Sequence, residues 1–253
     1  MGAGQVSHKK GSIMERERQE IVNEARHRGP HLGALSVVYT VLFLASLVVT
    51  AVMSNGGHIP SPFIAPDSIQ AFFANNAKAV KIGAFLQFGA AVPLGIFTAT
   101  VVSRLQFLGM NVAGVLITLF GGFAGSVFCA ISALLQWVLA QPGVASQAEM
   151  TRAVHLLAFA TGGVGFVVAF GLLLAGVSVI AWFTKILPRW LLWTGLVLAA
   201  VAELSSLSLV FGPISYLLPV ARFVGLVWMI ATGFLLPRSR AEANKNRVRY
   251  MAA

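Results

Sequence analysis

Residues 216–237, YLLPVARFVGLVWMIATGFLLP, form an apolar run with one charged side chain, Arg222. A helix that crosses a bilayer needs about 20 consecutive, mostly apolar residues, and this run has that length. The sequence therefore predicts an all-α integral membrane bundle of six transmembrane helices. The six predicted helices lie at about 34–53, 81–102, 111–140, 153–183, 190–211 and 215–236.

The composition requires lipid as the solvent over most of the chain. Of the 253 residues, 57% are hydrophobic and only 10% are charged, and the mean hydropathy is +0.82. A soluble domain of this size carries roughly 25% charged residues. The only cysteine, Cys129, excludes an internal disulfide and any CxxC metal or redox motif.

The basic residues predict the topology. The formal charge is +10, but the Lys and Arg residues lie beside the apolar runs, which is the pattern of membrane topology rather than of nucleic-acid binding. Fourteen flank one side of the predicted bundle and three flank the other. Because cytoplasmic flanks collect Lys and Arg, both termini are predicted to be cytoplasmic. The predicted organisation is a cytoplasmic tail at 1–33, a membrane domain at 34–237 and a basic cytoplasmic tail at 238–253.

Two short helices are predicted outside the spans. In the N-terminal tail, Ser12 and Glu15 fit a capping box. In the long loop 54–80, Asp67 is predicted to cap a helix whose apolar side carries Ile69, Phe72 and Phe73. We expect this second helix to lie in the membrane interface rather than to cover the outer mouth of the bundle.

The third and fourth spans are longer than a bilayer requires, so we expect them to tilt, protrude or bend. Glycine clusters are the natural places for a bend. The two clusters are GGFAG at 121–125 and TGGVG at 161–165.

Arg222 needs compensation inside the membrane, because a guanidinium there costs roughly 2.5–3.5 kcal/mol on insertion scales. Glu203 is the one acidic residue within an apolar run. The fifth and sixth spans are joined by a short turn, and both charges lie about nine or ten residues from its midpoint, roughly 10–14 Å in depth. The sequence thus predicts a Glu203–Arg222 ion pair.

Polar side chains on the other helices fall in the same outer third. If these helix faces converge, they form a polar pocket that opens outward and can bind a small molecule or an ion. Interhelical hydrogen bonds between such groups are also common, at about 0.6 kcal/mol each, so ordinary packing remains an alternative. The candidate ligand-binding residues are Arg222, Glu203, Gln87, Gln136 and His155.

No motif for catalysis or for a cofactor is found. The sequence has no HExxH motif, no Walker loop and no Rossmann fingerprint. His155 is the only histidine within a predicted span, whereas bis-histidine haem needs two, and no lysine lies deep enough for a retinal Schiff base. We predict no catalytic residue, no metal ligand and no cofactor, which leaves enzymatic activity without positive support.

Three stretches carry a resemblance to a known family. These are FFANNAKAVKIGAFLQFGAAVPLGIFTATVVSRL, LPRWLLWTGLVLAAV and VGLVWMIATGFLLP. Over roughly residues 34–237 the chain resembles bacterial polytopic membrane proteins grouped under a domain of unknown function, number 4386. The resemblance implies a multi-pass protein of the bacterial inner (plasma) membrane, and it implies no reaction or site residues.

Two functions therefore remain open from the sequence. One is a membrane protein that binds or moves a small molecule or ion through an outward polar pocket around Glu203 and Arg222. The other is a non-catalytic membrane partner or assembly subunit in which the same pair is a structural clamp. The lipid bilayer is the only partner that the sequence indicates directly, and it leaves the oligomeric state open.

Overall fold

A computed structural model describes residues 25–57 and 59–251, and these residues are helical apart from short connections. The predicted helix that begins near Ser12 lies outside the described residues. The α-helices are α1 (Leu32–Met53), α2 (Pro66–Asn75), α3 (Ala77–Phe107), α4 (Ala113–Leu139), α5 (Ala148–Ala160), α6 (Phe166–Thr184), α7 (Arg189–Leu204), α8 (Leu217–Leu235) and α9 (Arg240–Met251).

The six predicted spans are confirmed in the described part of the chain. Each of six helical stretches is long and apolar enough to cross a membrane. Short irregular helices extend three of them. A π-helical turn, Thr161–Gly165, joins α5 to α6, and the 3₁₀ turns Ser205–Leu209 and Gly212–Tyr216 follow α7 and precede α8.

The spans pack as a closed ring. Along the chain α1 packs on α3, α3 on α4, α4 on α6, α6 on α7 and α7 on α8, and α8 returns to α1. Large buried side chains such as Phe97 and Phe170 fill the interior, whereas Phe85 and Phe120 are exposed on the surface that lipid covers. This inside–outside pattern lets apolar residues face both the core and the bilayer.

The two glycine clusters behave differently. GGFAG lies within the uninterrupted helix α4. A Cβ on Gly121 would lie 2.6 Å from the Ala169 carbonyl oxygen, so the cluster allows α4 and α6 to approach closely. TGGVG, in contrast, forms the π-helical turn Thr161–Gly165. Of the two clusters, only the second interrupts its α-helix.

Both described chain ends lie on one side of the bundle, which we call the terminal side, and the opposite side is the distal side. The backbone N–H of His27 donates to the Arg238 carbonyl at 2.8 Å. The predicted C-terminal tail is a docked helix, α9. Arg247 donates to the Thr184 carbonyl at 3.2 Å, at the end of α6. A basic side chain at a helix C-terminus is favoured because the free carbonyls there carry partial negative charge.

On the distal side, the apolar side of α2 packs on the end of the bundle. Ile69 and Phe73 are 1% and 0% exposed and pack against the ends of neighbouring helices. The expectation that this helix lies in the membrane interface stays a prediction. The prediction that Asp67 caps the helix is wrong: Ala65 holds the cap position, Pro66 begins the helix, and Asp67 lies in its first turn. Proline at the first helical position is common because its missing N–H would be unpaired there anyway.

Candidate functional site

A cavity of about 350 Å³ lies in the distal half of the ring. We call it the distal cavity. Helices α1, α3, α4, α5 and α8, the π-helical turn and the loop 59–62 contribute to its wall. Four of the five predicted site residues line it: Gln87, Gln136, His155 and Arg222.

Arg222 is the only Lys or Arg among the residues that line the distal cavity. One Nη of its guanidinium donates to the Gly162 carbonyl. The guanidinium also lies over two aromatic rings, 4.7 Å from the centroid of Phe166 and 5.4 Å from that of Phe43. A guanidinium has several further N–H donors. Among the described residues these have no acceptor, and the buried Nε has no hydrogen-bond partner.

The π-helical turn places the carbonyl that Arg222 uses. The Phe166 N–H reaches back five residues to the Thr161 carbonyl, so the turn is wider than in an α-helix. The glycine at 162 permits a close approach of α4: a Cβ there would lie 2.2 Å from the Ser132 Oγ. Turns of this kind recur at functional sites because they displace backbone groups from their usual partners.

The two glutamines join α3 to α4. Gln136 Nε2 donates to Gln87 Oε1 at 2.9 Å, and Gln87 Nε2 donates to the Cys129 carbonyl at 3.4 Å. Gln87 is only 7% exposed. Gln87 is therefore held in an interhelical contact at the edge of the cavity, and Gln136 is the more accessible of the two amides.

His155 holds the loop that forms part of the cavity wall on the distal side. Its Nε2 lies 2.9 Å from the Pro60 carbonyl oxygen. Because a carbonyl can only accept, Nε2 must carry the hydrogen. Its buried Nδ1 has no partner among the described residues, and its ring packs edge-to-face on Phe73 at 5.2 Å. The interaction makes the wall formed by residues 59–62 part of the site.

The predicted Glu203–Arg222 ion pair is wrong. Glu203 is exposed on α7 and does not line the distal cavity, and Arg222 interacts instead with a carbonyl and two rings. Counting residues from the turn gives depth but not direction around the helix. Successive residues are rotated by about 100°, and Glu203 follows Ala202, which is 2% exposed and faces the bundle. A shared depth therefore does not produce a contact.

Sequence reasoning missed the groups that accommodate the guanidinium. The rings of Phe43 and Phe166 come from α1 and from the start of α6, and no spacing rule pairs them with α8. Tyr39, 0% exposed, stacks on Phe43 at 6.1 Å, and its buried hydroxyl has no partner among the described residues. The glycine cluster at 161–165 was the one available signal, since it indicated an irregular helix where a carbonyl becomes accessible.

The distal cavity combines an apolar wall with a positive charge that no carboxylate offsets. No Asp or Glu side chain of the described residues lines it, and no group of three or more His, Cys, Asp or Glu residues in that part of the chain can hold a metal ion. A guanidinium with free donors in an apolar surrounding is suited to a carboxylate or a phosphate.

Comparison with protein-family models, with curated proteins and with solved structures gives no match for this chain in any of the three.

Proposed function

We propose that this membrane protein binds a small anionic molecule in the distal cavity, with Arg222 as its principal contact. The observation that carries the proposal is the guanidinium itself: it lies inside a membrane span, lines the cavity, and has a carbonyl but no carboxylate as its partner among the described residues. Ionisable groups within membrane spans usually mark substrate or ion sites.

The neighbouring polar groups support the same proposal. Gln136 and His155 line the cavity with Arg222. The buried Nδ1 of His155 and the Nε of Arg222 both lack protein partners in the described part of the chain. Buried polar groups in proteins are nearly always hydrogen-bonded, so unpartnered ones at a single cavity are consistent with a missing ligand.

The orientation belongs to the proposal as well. We place the terminal side in the cytoplasm and the distal cavity in the outer half of a bacterial inner membrane, with fourteen basic residues on one side and three on the other as the support. The resemblance to the family under domain of unknown function 4386 is part of the same proposal. In this orientation the cavity takes its ligand from the outer side of the membrane or from the outer leaflet.

The test is ligand-dependent thermal stabilisation of the protein in phosphatidylcholine nanodiscs. The probes are sodium acetate, benzoate, octanoate and inorganic phosphate, with neutral benzamide as the control for benzoate. We expect at least one anion to raise the Tm saturably, and Arg222→Gln to weaken its binding by about 30-fold or more, since removing one partner of a buried charge contact costs about 2–5 kcal/mol.

Glu203→Gln is the matched control, because it removes a charge at a similar chain distance from the same turn but outside the cavity. We expect it to leave anion binding unchanged. If none of the four anions shifts the Tm, or if Arg222→Gln and Glu203→Gln bind them equally well, the proposed site is refuted.

A further inference from the structure

We infer that the ligand of the distal cavity is a single-chain anionic amphiphile that enters from the bilayer between α1 and α8, with its headgroup at Arg222 and its chain directed into the lipid. This inference rests on the proposed function and adds the ligand class and the route. Four features of the described residues carry it: the lining, the volume, the cover on the distal side and the opening toward lipid.

The lining combines polar and apolar side chains. Arg222, Gln136 and His155 supply charge and hydrogen-bonding groups. Most of the other lining residues are apolar, and those on α1 and α8 are Phe43, Leu47, Leu218, Pro219 and Phe223. A charged group in a largely apolar wall fits a molecule with an anionic head and a hydrocarbon chain.

The cavity is large enough for only part of such a molecule. About 350 Å³ lies near the lower end of the range of ligand pockets, about 300–1,000 Å³. It holds a carboxylate or phosphate and the first methylenes of a chain, but not an entire long chain. The rest of the chain must leave the cavity, and a route into lipid costs it no exposure to water.

A loop covers part of the distal side. Residues 59–62 form part of the cavity wall, and the His155–Pro60 hydrogen bond of 2.9 Å ties them to α5. Ile59 in turn packs against the buried cluster that contains Ile69 and Phe73 of α2. Entry from water on this side is therefore narrowed by a loop that is held at two places.

The opening toward lipid lies between α1 and α8. These helices touch on the terminal side, where a Cβ on Gly233 would lie 3.0 Å from the Gly33 Cα. In the distal half both helices line the cavity, and two of these lining residues, Leu47 and Phe223, are 38% and 40% exposed. The proposed route passes between these two side chains.

The experiment measures binding of tritiated palmitate to the protein in phosphatidylcholine nanodiscs, after subtraction of uptake by empty nanodiscs. We expect a saturable component that falls by about 30-fold or more in Arg222→Gln and stays unchanged in Glu203→Gln. Hexadecyl phosphate should displace palmitate and hexadecanol of the same chain length should not, because only the phosphate offers an anionic head. Whichever of palmitate and hexadecyl phosphate binds more tightly identifies the headgroup as carboxylate or phosphate.

The route is tested by two matched substitutions on α1. Leu44 and Leu47 are 39% and 38% exposed and one helical turn apart, but only Leu47 lines the cavity. Leu47→Trp should narrow the opening and weaken palmitate binding by about tenfold or more, a loss of about 1.4 kcal/mol, whereas Leu44→Trp should leave it unchanged. Circular dichroism and the Tm of the ligand-free protein show whether each variant is folded.

The outcomes separate this inference from the proposed function. If compact anions bind through Arg222 but palmitate shows no saturable binding or is displaced equally well by hexadecanol, the amphiphile is overturned and the anion site stands. If Leu44→Trp and Leu47→Trp bind palmitate equally well, the route is overturned. The displacement arm needs no substitution, so it decides the inference even where Leu47→Trp does not fold. If no anion, compact or long-chained, binds in an Arg222-dependent way, both the proposed function and this inference are refuted.

Discussion

Replacing Arg222 by methionine removes the charge while keeping a long, flexible side chain. Its effect on the ligand-free protein distinguishes a binding residue from a structural clamp. If the guanidinium exists mainly to hold α8 to the π-helical turn, its loss should strongly destabilise the bundle. If it is retained for a ligand, the ligand-free protein should scarcely depend on it.

The contacts of Arg222 predict the size of the change. Keeping a guanidinium within a span costs about 2.5–3.5 kcal/mol on insertion scales. The hydrogen bond to the Gly162 carbonyl returns about 1.5–3 kcal/mol as a charge-assisted bond. The contacts with Phe43 and Phe166 return about 0.5–1 kcal/mol each. Cost and gain nearly cancel, so we expect Arg222→Met to change the free energy of unfolding by less than about 2 kcal/mol in either direction.

The assay is reversible unfolding in mixed micelles with increasing dodecyl sulfate, followed by circular dichroism and analysed as a free energy of unfolding. Glu203→Gln serves as the control for loss of a charge outside the cavity. A loss of about 3–5 kcal/mol in Arg222→Met is the value expected for breaking a buried, compensated charge contact. That result would refute our reasoning and would favour the structural clamp, with the Gly162 carbonyl as the partner of Arg222 instead of the predicted Glu203.

Three further predictions concern the π-helical turn, the terminal side and access to the cavity. Gly162→Ala should destabilise the protein by about 1–3 kcal/mol, because its Cβ would lie 2.2 Å from the Ser132 Oγ; unchanged mixed-micelle unfolding would contradict this. Burial, and then the charge of Arg104, lowers the pKa of His27 from its ordinary 6.5. The free energy of unfolding should therefore fall as the pH drops below about 6.5, and His27→Gln should make the Tm depend less on pH. A Tm that depends on pH equally in both proteins would contradict this. Ser215 lines the cavity wall, and Ser215→Cys can be labelled in a variant without the native cysteine. In intact cells it should react faster with a membrane-impermeant anionic thiosulfonate than with a cationic one. Labelling only in inverted vesicles would reverse the proposed topology.

Much of the fold was predictable because the length and hydropathy of an apolar run are enough to identify a membrane-spanning helix. Backbone groups in hydrocarbon must be satisfied within the chain, so each long apolar run has to be a helix. The structure places the six spans within a few residues of their predicted limits, apart from longer ends such as that of α3 at Phe107. The C-terminal helix α9 was missed, although Ser239 and Glu242 form a visible capping signal: the Glu242 N–H donates to the Ser239 Oγ at 3.1 Å.

For each candidate site residue the sequence predicts the depth in the membrane, but not which way its side chain faces around the helix. Gln87, Gln136, His155 and Arg222 meet at one cavity because their helices pack with these faces inward. Glu203 has a comparable position along its hairpin and faces away. Depth follows from counting residues along an axis, whereas direction depends on how each helix is rotated against its neighbours.

The sequence by itself determined that this chain is a six-helix membrane bundle, and it indicated that one arginine within the membrane needs explanation. Only the tertiary structure decided what surrounds that arginine: a glycine carbonyl at a π-helical turn, two aromatic rings and a cavity of about 350 Å³. The physical reason is that lipid selects for apolar helices of a given length without regard to their rotation. Contacts between helices depend on small residues and side-chain shape, and these act only once the helices have packed.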